Sequence, residues 1–281
     1  GDKVMIQPPV YHPFAWVTTR NERTLVTNPL KWENGMYRMD LDTFREQIKG
    51  CKLFILCNPH NPGGVVWTEA ELRAIADICY DEKVLVFSDE IHADLTLPPH
   101  THRPFATVSE KARMNSVTFM SPSKAFNMPG LSASHALIFN EDLRKRFRIY
   151  MDAGELDMGH VFAFLSVEAA YSHGTEWLDQ CLAYIQGNID FVDEFLKKHA
   201  PKIKAIRPEA SYLVWLDCRE LELSQKDLNE FFVDKAHLAL NDGEMFGKEG
   251  IGFMRLNVAS PRCIIEKAMK QLADAYQLYI K

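Results

Sequence analysis

The sequence lacks three features that would each point to a particular class of protein. None of its apolar stretches approaches the ~18 residues that a membrane span needs, so no transmembrane helix is predicted. Its 32 Lys and Arg residues are spread along the chain against 38 acidic residues, and the formal net charge is −6. Nucleic-acid-binding surfaces concentrate basic residues on one face. We therefore expect neither a nucleic acid nor a membrane as a partner.

Cysteine is scarce, and its spacing is not that of a disulfide framework or a metal site. The six cysteines include no C-x-x-C pair. This usage favours reduced thiols in a cytoplasmic protein. The "HTH" at residues 100 to 102 lies in a proline-flanked loop without nearby acidic or cysteine ligands, so no metal site is predicted there. A P-loop and a G-x-S-x-G elbow are also missing.

Apolar runs alternate with amphipathic helical patterns from residue 3 to about residue 140. One helical pattern places Leu72, Ile75 and Cys79 on a single face, behind a capping box formed by Thr68 and Glu71. Strands separated by helices require crossover connections, which make neighbouring strands parallel. The pattern therefore predicts an α/β fold with a mostly parallel sheet. The runs that predict strands are KVMIQ, TLVT, KLFILC, VLVFSDE, SVTFM and HALIF.

The chain changes character after about residue 160. Two long helical segments are followed by the strands SYLVWLD and GFMRLNV and by a closing helix in which Ile264, Ala268 and Leu272 are in register. A length of 281 residues also exceeds the roughly 100 to 200 residues of one compact domain. We predict a large domain over residues 1–165 and a smaller α+β domain over residues 166–281.

Polar side chains follow three of the predicted strands. NPHNPGG follows KLFILC, SDEIH ends a strand, and SPSK follows SVTFM. Ligands of parallel α/β sheets gather beyond the carboxyl ends of the strands. Three roles are open for Lys124 in SPSK: a surface lysine, a phosphate ligand, or a lysine that forms an imine with a carbonyl group. Imine formation requires that its amine is partly removed from water, so that the amine is neutral often enough to react.

The other candidate side chains each have a structural alternative. Asp89 is an N-cap or salt-bridge partner, or else a carboxylate that keeps a pyridine nitrogen protonated. Glu90 follows it and should face the opposite way. Asn61 belongs to an ordinary loop or hydrogen-bonds a ligand oxygen, and Tyr11 packs in the core or stacks on a ligand. Arg255 requires an anionic partner, which is an internal carboxylate or a substrate carboxylate.

Five motifs in order resemble the class I/II aminotransferase superfamily of fold type I PLP enzymes, and most closely its MalY/PatB-type cystathionine β-lyases, or C-S lyases. They are PPVYHPF, NPHNPGG, SDEIHADL, SPSKAFNMPGL and FMRLNVASPR. The resemblance covers the whole chain. It implies an aspartate aminotransferase-like large domain that binds pyridoxal 5'-phosphate (PLP), a smaller C-terminal domain, and a homodimer with the active site at the interface.

The resemblance also assigns roles to individual residues. Lys124 matches the lysine that holds PLP covalently and is the catalytic residue, and Asp89 matches the partner of the pyridine nitrogen. Asn61 and His92 match residues near the phenolic oxygen of the ring. The remaining roles are stacking on the ring for Tyr11, phosphate contacts for Ser121 and Ser123, and binding of the substrate α-carboxylate for Arg255.

The activity implied is cleavage of a carbon–sulfur bond in a cystathionine- or cysteine-type amino acid, which gives a thiol, pyruvate and ammonia. Transamination by the same fold is the first alternative, and a catalytically silent PLP-binding protein is the second. Two departures from the family stand out. Ser132 lies where many aminotransferases have a phosphate-binding arginine, and the relatives begin well before residue 1, so we expect part of the phosphate site to be missing.

Overall fold

The computed structural model describes residues 1–280. Its larger sheet has six strands in the order β2-β1-β5-β6-β7-β8. All neighbours pair in parallel except β7 and β8, which are antiparallel. The predicted α/β class with a mostly parallel sheet is confirmed. The strands are β1 Lys3–Ile6, β2 Thr24–Thr27, β5 Cys51–Cys57, β6 Leu85–Asp89, β7 Ser116–Met120 and β8 His135–Leu137, with a separate hairpin of β3 Lys31–Glu33 and β4 Met36–Arg38.

Helices connect the strands. Within α3, the predicted face of Leu72, Ile75 and Cys79 is fully buried, and the predicted capping box is present. The apolar side chains of this face belong to the same buried cluster as the sheet. Helix α3 is the crossover connection between β5 and β6, which lie parallel beside each other. The helices are α1 Pro13–Arg20, α2 Leu41–Gln47, α3 Glu69–Asp81, α4 Glu110–Met114, α5 Glu141–Ala153, α6 Val161–His173, α7 Thr175–His199, α8 Gln225–Glu230 and α9 Arg262–Ile280.

A second, antiparallel sheet lies in the C-terminal part of the chain, with the strand order β11-β12-β10-β9. Helices α7 and α9 cover it and share its apolar core. The prediction for α9 was wrong in one respect, because Ile264 is 54% exposed, whereas the buried positions include Ile265, Met269 and Leu272. The strands are β9 Lys204–Ile206, β10 Leu213–Asp217, β11 Asn241–Asp242 and β12 Phe253–Asn257.

Aromatic side chains of the small sheet contact the β3–β4 hairpin and the core of the large sheet. The Trp215 indole N–H donates to the Tyr37 hydroxyl at 3.2 Å, and the Trp215 ring stacks on Phe253 with centroids 5.2 Å apart. Trp215 and Phe253 thereby belong to the same buried cluster as the core of the large sheet. The predicted boundary between residues 165 and 166 falls within α6, and the two-domain division stays a prediction.

Helices α5 and α6 expose an unusual amount of apolar surface. Helix α5 has no buried residue, and Ala163 is the one buried residue of α6. Met158 in the connecting segment is 82% exposed and Phe162 is 68% exposed. We call the surface formed by residues 149–165 the α5–α6 face. Among residues 1–280, no helix combines the length and the apolar character needed to cross a membrane.

Candidate active site

The carboxyl ends of β5, β6 and β7 meet at one edge of the large sheet, as the sequence predicted. The register places Cys57 beside Asp89, and Asp89 beside Phe119. Parallel strands bring their final residues to the same edge, so the polar segments that follow them converge. These segments carry Asn61, His92 and Lys124 respectively.

A cavity of about 350 Å³ opens at this edge. The large sheet and its following loops supply one side of it, and β10 and β12 of the small sheet supply the other. Six of the predicted site residues line this cavity, which brings together an amine, a carboxylate, an amide, an imidazole, a phenol and a guanidinium. They are Lys124, Asp89, Asn61, His92, Tyr11 and Arg255.

Lys124 lies on a compact turn directly after β7. The Phe126 N–H donates to the carbonyl of Pro122 at 2.8 Å, and the Met128 N–H donates to the carbonyl of Ser123 at 3.0 Å. These two bonds fold the backbone on either side of Lys124 and leave its side chain half-buried. Its positive charge acts on both Asp89 and His92. The side chain is therefore partly removed from water, as an imine-forming lysine requires.

Asp89 is the last residue of β6 and faces the cavity. Burial raises the pKa of its carboxyl from 3.8 to about 6, the charge of Glu90 adds to this increase, and the Ile91 N–H and Lys124 oppose it. The Ile91 N–H donates to Asp89 Oδ1 at 3.2 Å, which is the local capping role that the sequence left open. One N–H occupies only part of the accepting capacity of the carboxylate, so Asp89 can still accept a hydrogen bond from a group bound in the cavity.

Glu90 points to the opposite side of the strand end, as expected from the alternation of side chains. Its buried carboxylate accepts hydrogen bonds from the Ser88 hydroxyl at 2.8 Å and from the Phe105 N–H at 2.9 Å. The third contact is His102 Nε2, 2.7 Å from Glu90 Oε2. The expectation that the HTH loop has no acidic neighbour was therefore wrong. The loop folds back along β6, which sequence spacing did not reveal.

The NPHNPGG segment forms a tight loop stabilised by His60. The His60 Nε2 lies 2.9 Å from the carbonyl oxygen of Pro9, while its Nδ1 accepts the Gly63 N–H at 3.3 Å. Burial lowers the pKa of His60 to about 4, so the ring is neutral. Gly64 has φ +69°, and a Cβ there would lie 2.5 Å from Pro208, so glycine is required for the close approach of the two backbones. The loop holds Asn61 against the cavity.

His92 and Tyr11 form two walls of the cavity. Burial lowers the pKa of His92 to about 3, and the charges of Lys124 and Arg255 act in the same direction, so the imidazole is neutral. Its Nδ1 is buried and has no hydrogen-bond partner within residues 1–280. Tyr11 packs edge-on against Phe14 with centroids 5.6 Å apart and keeps part of its ring exposed to the cavity.

Arg255 enters the cavity from β12 without an internal carboxylate partner in the described part of the chain. Its Nη1 donates to Asn61 Oδ1 at 2.9 Å, and its Nη2 donates to Asn241 Oδ1 at 2.7 Å. The guanidinium lies over the Phe246 ring, 4.7 Å from its centroid. Both partners are neutral amides, so the positive charge remains available to an anion.

Ser121 and Ser123 are buried together next to the Lys124 turn. The Ser121 hydroxyl donates to the carbonyl oxygen of Ala133, and the hydroxyl of Ser123 lies 2.8 Å from that of Ser121. Neither serine lines the 350 Å³ cavity, although Ser121 lines an adjoining one with Asp89. Ser132, which the resemblance aligns with an arginine of many aminotransferases, directly precedes Ala133 and has φ +50°. The serine roles stay predictions.

The residues of the cavity fit PLP. The cofactor needs an amine for its aldehyde, a carboxylate for its pyridine nitrogen and donors for its oxygens. The cavity supplies Lys124, Asp89 and Asn61 for these purposes. It also contains two buried nitrogen atoms, His92 Nδ1 and Arg255 Nε, that lack a hydrogen-bond partner in residues 1–280, and buried polar groups without partners mark places where a bound group completes the hydrogen bonding.

Several lining residues were not identified from the sequence. His12, Tyr212 and Asn257 also border the cavity. His12 and Asn257 lie within two of the quoted motifs and Tyr212 lies within a predicted strand, but none of them was assigned a role, because its residue type and position alone do not indicate one. Tyr212 faces His92, with ring centroids 6.3 Å apart. The Glu90–His102 contact was missed for a similar reason, because it depends on the path of the loop.

Comparison with known proteins identifies the same family that the residues of the cavity indicate. Residues 1–272 match the family described as aminotransferase class I and II. The chain is 38% identical over 277 residues to cystathionine beta-lyase PatB of Bacillus subtilis (strain 168), an alignment that covers 98% of this chain and 72% of that protein.

Solved structures give the same result. Cystalysin from Treponema denticola, which contains a pyridoxal 5'-phosphate cofactor, matches with a TM-score of 0.97 at 35% identity, over 100% of this chain and 72% of that one. A PLP-bound putative aminotransferase from Clostridium difficile 630 matches with a TM-score of 0.96 at 41% identity, over 98% of this chain and 71% of that one. The chain therefore belongs to the aminotransferase class I and II family and is a PLP-dependent enzyme of fold type I.

Proposed function

We propose that this protein is a PLP-dependent carbon–sulfur β-lyase that acts on cystathionine- or cysteine-type amino acids. The observation that carries the proposal is the single cavity in which Lys124, Asp89 and Arg255 meet. Those three groups match the aldehyde of PLP, its pyridine nitrogen and the carboxylate of an amino acid. The Bacillus subtilis relative, at 38% identity, is a cystathionine beta-lyase, which favours C-S cleavage over other PLP chemistry.

Most of the residues in the cavity are assigned to atoms of the cofactor, and Arg255 is assigned to the substrate. We assign Lys124 to the aldehyde, Asp89 to the ring nitrogen, Asn61 and His92 to the phenolic oxygen, and Tyr11 to the ring face. Ser121 and Ser123 are assigned to the phosphate. This set contains no basic residue for the phosphate, because serine occupies position 132, where many aminotransferases have an arginine.

Arg255 binds the substrate α-carboxylate and so presents the Cα–H bond to the Lys124 amine. That amine is free to remove the proton once the amino group of the substrate has taken its place at the aldehyde. Bound PLP supplies an electron sink for the bonding pair left on Cα. The Cβ–S bond then breaks, and the thiolate leaves with its electron pair and takes up a proton. One water molecule is consumed overall, and the products are a thiol, pyruvate and ammonium.

His92 and Asp89 set the balance of charge around the substrate during removal of the Cα proton. A neutral imidazole accepts or donates a hydrogen bond without adding a second cation beside Lys124 and Arg255. Asp89 is the anion that balances a protonated pyridine ring. Burial lowers the pKa of His92 and so keeps its imidazole neutral. Burial raises the pKa of Asp89 to about 6, so above that pH its carboxylate is an anion that a cationic ring would stabilise.

Transamination is the second candidate, because it uses the same removal of the Cα proton. The PLP-bound structure at 41% identity is of a putative aminotransferase, which supports it. The two reactions diverge after this proton has been removed. A lyase then expels the thiolate, whereas an aminotransferase returns a proton to the cofactor and requires a 2-oxo acid.

The experiment is to incubate the PLP-loaded protein with cystathionine and to measure thiol, pyruvate and ammonia. We expect equimolar release, and Lys124→Ala should abolish it with the fold intact by circular dichroism. Turnover that requires an added 2-oxo acid and yields no ammonia would identify the aminotransferase instead. Full lyase turnover by Lys124→Ala would contradict the proposed mechanism.

We also propose a homodimer in which a second copy covers the α5–α6 face. Patches of this kind on soluble proteins mark interaction surfaces. Phe162 is exposed enough that Phe162→Asp should leave the fold of one chain intact. Light scattering should give the mass of two chains for the wild type and of one chain for this variant, with Tyr80→Asp on α3 as the control that stays dimeric. A monomeric wild type contradicts the proposal.

A cytoplasmic location is proposed as well. All six cysteines are unpaired, and four of them are buried. Thiols of this kind persist in a reducing compartment.

A further inference from the structure

Asn241 lies opposite Arg255 at the edge of the small sheet. The antiparallel register of β11 and β12 pairs the two residues. Directly opposed residues of neighbouring strands project their side chains from the same face of a sheet. The Arg255 Nη2 donates to Asn241 Oδ1 at 2.7 Å. Since a guanidinium has donors and no acceptor, the amide oxygen is the atom that must face it.

The Arg255 guanidinium is held from two sides. Asn61, on the loop that follows β5, accepts from Nη1 at 2.9 Å, while Asn241 accepts from Nη2. The Phe246 ring gives a third contact, 4.7 Å from its centroid to the guanidinium carbon. These contacts orient a long, flexible side chain before a ligand arrives, which reduces the entropy that binding must overcome.

The two amides differ in what else they touch. Asn61 lines the 350 Å³ cavity, whereas Asn241 does not. Asn241 is exposed, and within residues 1–280 its side chain makes one other hydrogen bond, a weak one from Nδ2 to Met245 Sδ at 3.8 Å. A change at Asn61 would therefore disturb the cofactor site directly. A change at Asn241 reaches the cavity through Arg255.

The carboxylate next to Asn241 is occupied elsewhere. Asp242 accepts hydrogen bonds from Gln225 Nε2 and Asn229 Nδ2, each at 2.6 Å. The Glu244 N–H donates to the same carboxylate at 2.8 Å. Because successive residues of a strand face opposite sides, the acidic residue of β11 is turned away from the guanidinium. The position that faces the guanidinium carries a neutral amide.

Resting on the proposed function, in which Arg255 binds the substrate α-carboxylate, we propose that Asn241 is a positioning residue that sets the preference for amino acids over simple amines. Its oxygen orients the guanidinium and leaves the whole positive charge to the ligand. A carboxylate at position 241 would pair with Arg255 and repel the carboxylate of the ligand. The neutrality of this side chain is therefore as important as its hydrogen bond.

Two ligands that differ in a single group test this role. 2-Methylalanine carries a carboxylate where tert-butylamine carries a methyl group, and neither has a Cα–H bond to lose. Calorimetry on the PLP-loaded wild type should show tighter binding of 2-methylalanine. We expect Asn241→Asp to raise the Kd of 2-methylalanine by about tenfold or more, and Asn241→Ala by about threefold. Neither variant should change the Kd of tert-butylamine.

Asn34→Asp is the matched control. It makes the same change of charge at an exposed position in the turn between β3 and β4. It should leave both Kd values unchanged. Added salt should reduce the difference between Asn241→Asp and Asn241→Ala, because that difference is electrostatic and such interactions are screened. A loss of packing alone would not respond to salt in this way.

Steady-state kinetics with cystathionine give a second measurement. A contact made equally in the bound substrate and in the transition state affects KM and not kcat. We therefore expect Asn241→Asp to raise KM by about tenfold and to leave kcat nearly unchanged.

The inference is overturned if Asn241→Asp binds 2-methylalanine as tightly as the wild type does, or if it weakens tert-butylamine equally. A wild type that binds the two ligands equally would also overturn it, because Arg255 would then not recognise a carboxylate. Absence of thiol from cystathionine would refute the lyase function, while the calorimetry would still decide the role of Asn241.

Discussion

At the scale of single residues, the end of β6 holds two successive carboxylates with opposite environments. Asp89 faces the cavity with one N–H donor, whereas Glu90 is buried on the other side with the Ser88 hydroxyl, the Phe105 N–H and His102 around it. The first carboxylate is left poorly compensated until a cation binds, and the second is fully compensated by the protein itself. Substitution of the two should therefore have opposite effects on stability.

Asp89→Asn is expected to stabilise the cofactor-free protein. The pKa of Asp89 is about 6 in the folded protein, above its ordinary value of 3.8, so the folded state binds the proton more tightly. The ionised carboxylate lowers the free energy of unfolding. This loss of stability is absent below pH 3.8 and develops as the pH rises from 3.8 through about 6. It reaches about 3 kcal/mol at pH 8, at roughly 1.4 kcal/mol per pKa unit.

Urea unfolding of cofactor-free wild type and Asp89→Asn at pH 5 and pH 8 measures this effect. The difference in the free energy of unfolding should be larger at pH 8, and Asp89→Asn should bind PLP more weakly at both pH values. A variant that is less stable than the wild type at pH 8 would show that the carboxylate is stabilising in the free protein.

Glu90→Gln is expected to destabilise the protein by about 1–3 kcal/mol, because an amide provides one oxygen acceptor where the carboxylate receives three contacts. The free energy of unfolding in urea measures the loss. Glu220→Gln is the matched control, because Glu220 pairs with Lys204 on the surface and such pairs contribute about 0–1 kcal/mol. Equal losses in the two variants would contradict the assigned role of Glu90.

At the scale of secondary-structure elements, α3 and α6 show two uses of an apolar helix. In α3 the apolar residues form one stripe that packs on the sheet, and the polar residues face solvent. In α6 apolar residues occur around the whole circumference, yet only Ala163 is buried. The apolar face of α3 is buried by the rest of this chain. The apolar residues of α6 remain exposed and would need a partner surface to be buried.

Thr68→Ala should weaken α3 at its start. The Thr68 hydroxyl accepts the Glu71 N–H at 3.2 Å, and the Glu71 carboxylate accepts the Thr68 N–H at 2.8 Å. Removal of the hydroxyl leaves a helix N–H without its acceptor, at a cost of about 1 kcal/mol. Thermal unfolding should show a lower Tm for Thr68→Ala and little change for Thr68→Ser, which keeps the oxygen. Equal Tm values for wild type and Thr68→Ala would show that water replaces the cap.

At the scale of the whole molecule, the sequence predicted the parts whose signals are local. Buried parallel strands are short continuous apolar runs, so β1, β5, β6 and β7 were identifiable, and the cap of α3 is a four-residue pattern. The convergence of three strand ends was a consequence of the parallel topology. The identity of the site came from five motifs whose order is specific to one family.

The contacts that escaped prediction depend on tertiary packing. Helix α9 has apolar residues at both Ile264 and Ile265, and periodicity alone cannot decide which of two adjacent stripes faces the core. The approach of His102 to Glu90 and of Tyr212 to His92 depends on loop paths and on how the small sheet meets the large one. Such contacts have no spacing rule.

The hydrogen bond between Arg255 and Asn61 has a consequence for the order of events in folding. It joins residues 194 positions apart, so the proposed α-carboxylate site exists only after β12 has docked beside the large sheet. Contacts between distant parts of a chain form late, because loop closure costs entropy before they contribute. During refolding with PLP present, far-UV circular dichroism should recover before binding of an amino acid does. The capacity to hold substrate is thus expected to be among the last properties that this chain acquires.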